Sequence, residues 1–153
     1  MNNDEFVKLV QGIVTDAVIL KDAHTTERGI AVGYACVFCQ SDEEYQTLLA
    51  RAESIGKIIE ETKTGSVFLF PPMKTVAGAL RIIKVRKPDP TRRERGDADF
   101  NVTDYPDFKE RYLNLPGFSL IQRENAEMIE LIEPNAHVRC YFSNPPAEKQ
   151  FGL

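Results

Sequence analysis

The chain has 153 residues, 42% of them hydrophobic and 27% charged. That is one domain's worth of polypeptide, or two small modules sharing a core, able to bury about 70% of its extended surface without help from a metal or disulfide; such a composition excludes a disordered chain. Nineteen Lys and Arg against 23 Asp and Glu leave a net charge of -4, so no global attraction draws it to nucleic acid or an anionic membrane, and any basic site has to be local.

The first residues, Met1-Asn2-Asn3-Asp4-Glu5, are acidic where a secretory signal would be basic. No apolar run approaches the roughly 18 to 20 residues of a membrane span, so the expectation is a cytoplasmic protein with no membrane partner. Three cysteines, an odd count, argue for reduced thiols over a disulfide framework, leaving open one pairing between chains.

Asn3 reads as an N-cap, Asp4 and Glu5 as first-turn acids, and Phe6, Leu9, Val10 and Ile13 as one helical face, which predicts a helix over 4–14. Residues 17–20 read as a short strand and 22–29 as a polar loop. A strand over 30–40 is followed by Ser41 and Glu44 in capping-box spacing, a helix with Tyr45, Leu48, Leu49, Ala52 and Ile55 on its apolar face, and Gly56 at its end. Residues 57–62 and 66–70 form a predicted hairpin about Lys63-Thr64-Gly65, stopped by Pro71-Pro72, and 79–85 a further strand.

Residues 87–96 carry two prolines, a glycine and dense charge, and read as a linker. Beyond it come a strand over 97–102, a helix capped by Thr103 or Asp104 and stopped by Pro116-Gly117, and strands over 118–122, 127–132 and 137–143. Residues 144–153 read as a surface tail. The chain thus divides into an N-terminal helix and loop (1–29), a first βαβββ module (30–86), the linker (87–96), a second βαβββ module (97–143) and the tail. Spacing supports a repeat: Asp97 follows Tyr34, and Phe108 follows Tyr45, by 63 residues, while Gly117 follows Gly56, and Met128 follows Val67, by 61. The predicted fold class is α+β, with two modules whose mixed, curled sheets surround a cleft.

A tandem of βαβββ modules resembles the vicinal oxygen chelate superfamily, which includes glyoxalase I, extradiol dioxygenases and fosfomycin-resistance proteins. The resemblance covers about 33–143, and Asp97-Ala-Asp-Phe-Asn-Val-Thr-Asp104 looks like the family's opening strand running into its helix. It implies a cleft between the modules with functional side chains on their first and last strands. Where members often begin the opening strand with a His ligand, this chain has Asp97, and Tyr34 at the corresponding place in the first module. The closing strands, Leu80-Arg81-Ile82-Ile83 and Val138-Arg139-Cys140-Tyr141, lack the family's Glu. The usual four-ligand metal set is therefore not matched, and fold alone does not carry function.

Strand alternation turns Ala98, Phe100 and Val102 toward the helix and Asp97, Asp99 and Asn101 toward the cleft, with Tyr34, Cys36 and Phe38 beside them. Asp97 and Asp99 could act as an acid–base pair or hold a divalent cation; the bland alternative pairs Asp97 with Arg93 or Arg95 and leaves Asp99 solvated. Glu130, a lone charge in an apolar strand, needs a partner or exposure. Cys36 and Cys39 with His137 and Cys140 have zinc-knuckle spacing, but residues three apart on a strand point to opposite faces, so buried thiols are expected. His24 reads as a solvated ring; Arg86, Lys87, Arg92, Arg93 and Arg95 could grip a phosphate or carboxylate, but interleaved Asp89 and Glu94 dilute the cluster and it reads as a solvated linker, with no stacking platform for nucleic acid.

The expected function is small-molecule binding without a cofactor, with Tyr34, Asp97, Asp99, Glu130 and Arg139 as cleft residues. One alternative is a metal-dependent lyase or oxygenase holding a divalent metal on Asp97, Asp99 and Glu130. Another is an interaction module whose cleft is filled by Phe38, Phe68, Phe70, Tyr141 and Phe142. Nucleic acid is not expected as a partner; a homodimer is, because an open sheet leaves edges to cover.

Overall fold

The N-terminal helical periodicity runs further than its first apolar residues suggest. In a computed structural model describing residues 1–153, a single helix, α1 (Asn3–His24), replaces the predicted 4–14 helix, the short strand and the start of the loop. Ala17, Leu20 and Lys21 extend the buried stripe begun by Phe6, Val10, Ile13 and Val14, and a four-residue apolar run cannot by itself distinguish strand from helix. The cap is Asn2, not Asn3: its side chain accepts from the Glu5 amide at 2.8 Å while the Glu5 carboxylate accepts from the Asn2 amide at 3.2 Å. Although 22 residues long, α1 carries too many charges to cross a membrane, and no helix is long and apolar enough to do so.

The elements that follow are β1 (Val32–Phe38), α2 (Asp42–Ile55), β2 (Lys57–Thr62), β3 (Gly65–Thr75) and β4 (Gly78–Arg86), then β5 (Gly96–Phe100), α3 (Tyr105–Tyr112), β6 (Phe118–Gln122), β7 (Glu127–Leu131), β8 (Val138–Asn144) and a short α4 (Ala147–Gln150). The fold is α+β, with four helices and one open, mixed eight-stranded sheet. Contrary to the predicted stop at Pro71-Pro72, β3 continues through both prolines. The ladder to β4 shifts register between Leu69 and Met73, which accommodates residues that cannot donate a backbone hydrogen bond. The predicted tail is also partly structured: α4 folds back toward β1, with Ala147 buried.

The strand order is β2-β3-β4-β1-β5-β8-β7-β6. Each half therefore has the same order and the same parallel pairing of its first and last strands, β1 with β4 and β5 with β8. The halves meet in an antiparallel β1–β5 seam that makes one continuous sheet. Ala35 lies opposite Ala98 in that seam, flanked by Tyr34 opposite Asp99 and Cys36 opposite Asp97. Residues 63 apart in sequence thus exchange places across the Ala35–Ala98 pair, and an approximate two-fold axis passes between these alanines.

One face of the sheet packs against the helices. α1 lies over β1, β5 and β8, while α2 covers β3 and β4. Ala35, Val37, Ile83, Val85, Ala98, Phe100, Cys140 and Phe142 join the core cluster on that side. Phe6 stacks on Phe70 at 5.7 Å, and Phe108 packs on Phe142 at 4.4 Å. A buried side chain of this kind contributes about 1.5–3 kcal/mol. The alternating residues of the same strands face the other way, and the site lies there.

Candidate functional site

A cavity of about 310 Å³ opens on the face away from α1–α3, centred on the two-fold axis. From the first half, Tyr34 and Cys36 of β1 and Lys84 and Arg86 of β4 line it; from the second half, Asp97 and Asp99 of β5 and Tyr141 and Ser143 of β8. These occupy equivalent ladder positions: Cys36 pairs with Lys84 as Asp99 pairs with Tyr141. The period-two alternation of a strand puts the polar members of each pair on one face while their apolar neighbours enter the core.

Glu60 of β2 and Arg123 beyond β6 also border the cavity. In a flat sheet, strands at opposite edges of an eight-strand order would stand about 34 Å apart at the usual spacing of roughly 4.8 Å. Their meeting at one cavity shows how strongly the sheet curls. Ile121, Met128 and Phe151 supply apolar wall, the last from the C-terminal segment.

The two aspartates differ in their surroundings. Asp99 accepts hydrogen bonds from the Ser143 amide at 3.1 Å and from the Ser143 hydroxyl. Asp97 is 6% exposed, and its Oδ1 is buried without a partner. Burial, then the neighbouring Asp99, pushes the Asp97 carboxyl up to about 8. Burial also raises Asp99, but the Ser143 bonds stabilise its charged form and hold it to about 6. Burial and the surrounding acidic groups push the Tyr34 phenol well above its usual range. Its hydroxyl has no hydrogen-bond partner within the chain.

The cationic side is more extensive than expected. Arg86 has a buried Nε without a partner, and its guanidinium stands 3.8 Å from Asp89. Arg92 lies 5.3 Å above the Phe38 ring and reaches the Tyr141 hydroxyl at 3.5 Å. Lys84 donates to Thr64 at 2.6 Å. Of the basic residues read as a solvated linker, Arg86 and Arg92 instead turn into the cavity. Arg95 also departs from that reading, pairing with Glu44 of α2 through contacts of 2.7 and 2.8 Å. Asp97 therefore pairs with neither Arg93 nor Arg95, and Asp99 is not solvated.

The remaining candidates fall outside the lining. Glu130 accepts from the Tyr141 hydroxyl at 2.5 Å and from Arg139 at 3.2 Å, and Arg139 also grips Glu94 at 2.7 and 3.2 Å. This network backs the cavity wall through Tyr141. Glu130 thus has partners of its own and does not converge with Asp97 and Asp99, and no three His, Cys, Asp or Glu side chains are grouped as a metal-binding set. Asn101 faces α4 instead of the cleft, donating to Glu148 at 3.2 Å. Cys39 and Cys140 belong to the helix-side core while Cys36 faces the cavity, so the zinc-like spacing gathers nothing. His24 and His137 line a separate groove beside α1. Of the aromatic residues expected to fill the cleft, Phe68, Phe70 and Phe142 lie in the core, Phe38 sits beneath Arg92 and Arg139, and Tyr141 alone lines the cavity.

Lys84, Arg86 and Ser143 are among the lining residues that the faces of the first strands do not reveal, and Tyr141 is expected only as an apolar filler of the cleft. Their signal is present in the sequence: Lys84 and Arg86 alternate with Ile83 and Val85, and Tyr141 and Ser143 with Cys140 and Phe142.

No protein-family model and no curated protein matches this sequence. Among solved structures, a structural-genomics protein, EC4020, is similar with a TM-score of 0.68 at 14% identity, over 94% of this chain and 92% of that one. At that identity the likeness establishes a shared fold and extends no further.

Proposed function

We propose that this protein binds a small organic molecule in the cavity on the two-fold axis, in the manner of a vicinal-oxygen-chelate-like fold that does not carry that superfamily's usual metal set. The observation that carries the reading is the buried, unpartnered Oδ1 of Asp97 at a cavity of about 310 Å³. A buried polar atom left without a hydrogen bond costs about 1–3 kcal/mol, and a ligand that supplies the bond recovers it. The volume is at the small end of ligand pockets, and the mixture of apolar wall with a few convergent polar groups is what such pockets use for orientation. The open cavity also favours a ligand over an interaction module with a self-filled cleft.

Methionine-methyl NMR during a fragment screen tests the reading. Of Met1, Met73 and Met128, Met128 alone lines the cavity, whereas Met73 lies in the helix-side core. Fragments that bind as proposed shift Met128 and leave Met73 in place. A screen in which no fragment moves Met128, or in which both methyls always move together, overturns it.

A further inference from the structure

Resting on that reading, we infer that the ligand is a small organic acid, its oxyanion seated against Arg86 and Arg92 and its apolar body lying on Ile121, Met128 and Phe151. Among lining side chains, Lys84, Arg86, Arg92 and Arg123 oppose Glu60, Asp97 and Asp99, and the guanidiniums keep their charge at any accessible pH. Neither Arg86 nor Arg92 is consumed by a close internal ion pair: both approach Asp89, at 3.8 and 3.9 Å, and the buried Nε of Arg86 has no acceptor. By contrast, the arginines that serve structure in this protein, Arg95 and Arg139, make carboxylate contacts at 2.7 Å. Two guanidiniums beside a cavity, neither held in a close ion pair, fit an oxyanion, two of whose oxygens can take parallel N–H bonds from one of them.

Asp97 completes the cradle instead of opposing it. With its carboxyl pushed up to about 8 by burial and by Asp99, it holds a proton near neutrality and can donate to the bound oxyanion. Its surroundings are Tyr34 and Cys36 on β1, Lys84 and Arg86 on β4, Arg139, Cys140 and Tyr141 on β8, Arg92 in the connector and Asp99 on its own strand. The apolar wall lies toward β6, β7 and the C-terminal segment, so head group and body have distinct places.

Calorimetry with benzoate, phenyl phosphate and benzamide tests the inference, with Met128 methyl shifts reporting location. The expected result is that at least one of the two anions binds tenfold or more tightly than benzamide, with the better anion distinguishing a carboxylate from a phosphate ligand. Arg92→Gln and Arg86→Gln should each weaken that anion at least tenfold, with unchanged thermal unfolding of Arg92→Gln showing that the fold is intact. Binding of the anion by wild-type protein should fall at least tenfold between pH 6.5 and 9, and Asp97→Asn should retain it at pH 9. Equal binding of benzamide and the anions at Met128 overturns the acid while sparing the small-molecule reading; an Arg92→Gln variant that binds the anion as wild type does likewise. Absence of any Met128 response to all three probes overturns the acid, and failure of the wider fragment screen at Met128 would overturn both.

Discussion

Asp97 and Asp99 stand two residues apart on one face of β5, yet only Asp99 has hydrogen-bond donors, both from Ser143. The two carboxyls therefore titrate apart, Asp97 up at about 8 and Asp99 at about 6. One strand thus presents a protonated and an ionised carboxyl side by side near neutral pH.

The first prediction concerns stability against pH. A carboxyl whose pKa is higher in the folded than in the unfolded chain makes the folded state bind more protons, so stability falls as pH rises from the unfolded value, near 4, to the folded one. For Asp97 that window runs from about 4 to about 8. Asp97→Asn removes this cost and should gain on wild type as pH rises through the window. At pH 8 a gain of about 1 kcal/mol or more is expected, roughly 2–4 °C in Tm for a chain of this size. Thermal melts at pH 5, 6.5 and 8 check it; parallel pH curves for the two proteins would refute the protonated Asp97.

Ser143→Ala removes the hydroxyl donor to Asp99 and leaves only the amide. Because both bonds favour the ionised carboxylate, the substitution should raise the Asp99 pKa further and cost about 1–3 kcal/mol at pH 8, the usual penalty for a buried acceptor deprived of a donor. The loss should shrink near pH 5, where Asp99 is already protonated in wild type. Chemical denaturation at the two pH values measures the difference.

Much of this arrangement is legible in the sequence, and the exceptions have physical causes. Alternation along Asp97-Ala-Asp-Phe places the aspartates opposite the core, and the 63-residue spacing brings Tyr34 and Cys36 to the same face. The spacing does not say that the halves join edge to edge through β1 and β5; strand pairing is a tertiary choice that periodicity does not encode. Arg86 and Arg92 read as solvated because dense charge beside prolines usually is, whereas alternation with the core residue Val85 turns Arg86 to the cavity face and Arg92, from the connector, reaches Phe38 and Tyr141 there. Glu130 needs a partner, as a lone charge in an apolar strand must, but only the fold reveals that Arg139 and Tyr141 provide it.

Arg139 supplies the third prediction. Its side chain is 12% exposed and those of Glu94 and Glu130 are each 13% exposed, so this is no surface pair. Arg139→Ala should cost about 3 kcal/mol by stranding two largely buried carboxylates. Arg139→Lys should recover less than half of that, since a single ammonium cannot reproduce the fork reaching both Glu94 oxygens and Glu130. Urea denaturation of both variants decides the point; full rescue by lysine would mean that charge, not the guanidinium geometry, holds the network.

The last prediction tests the seam that creates the cavity. Gly96 begins β5 opposite Val37, where a Cβ would overlap the Cys36 carbonyl oxygen and crowd the Ile13 side chain at 2.9 Å. Ile13 could turn aside, but the Cys36 oxygen belongs to the neighbouring strand's backbone and cannot move without displacing the ladder. The Gly96→Ala variant must therefore spread β1 from β5 at the end of the seam nearest Asp97. The expected cost is about 2 kcal/mol or more, at the high end for a single substitution because it combines overpacking with a damaged ladder. Gly12→Ala serves as the control: it lies on α1 with nothing near its added methyl, and it should stabilise by roughly 0.5–1 kcal/mol through helix propensity. Amide hydrogen exchange separates the two effects, with protection of the Cys36–Phe38 amides lost in Gly96→Ala and kept in Gly12→Ala. Retained protection in Gly96→Ala would show that the two halves do not depend on this close approach.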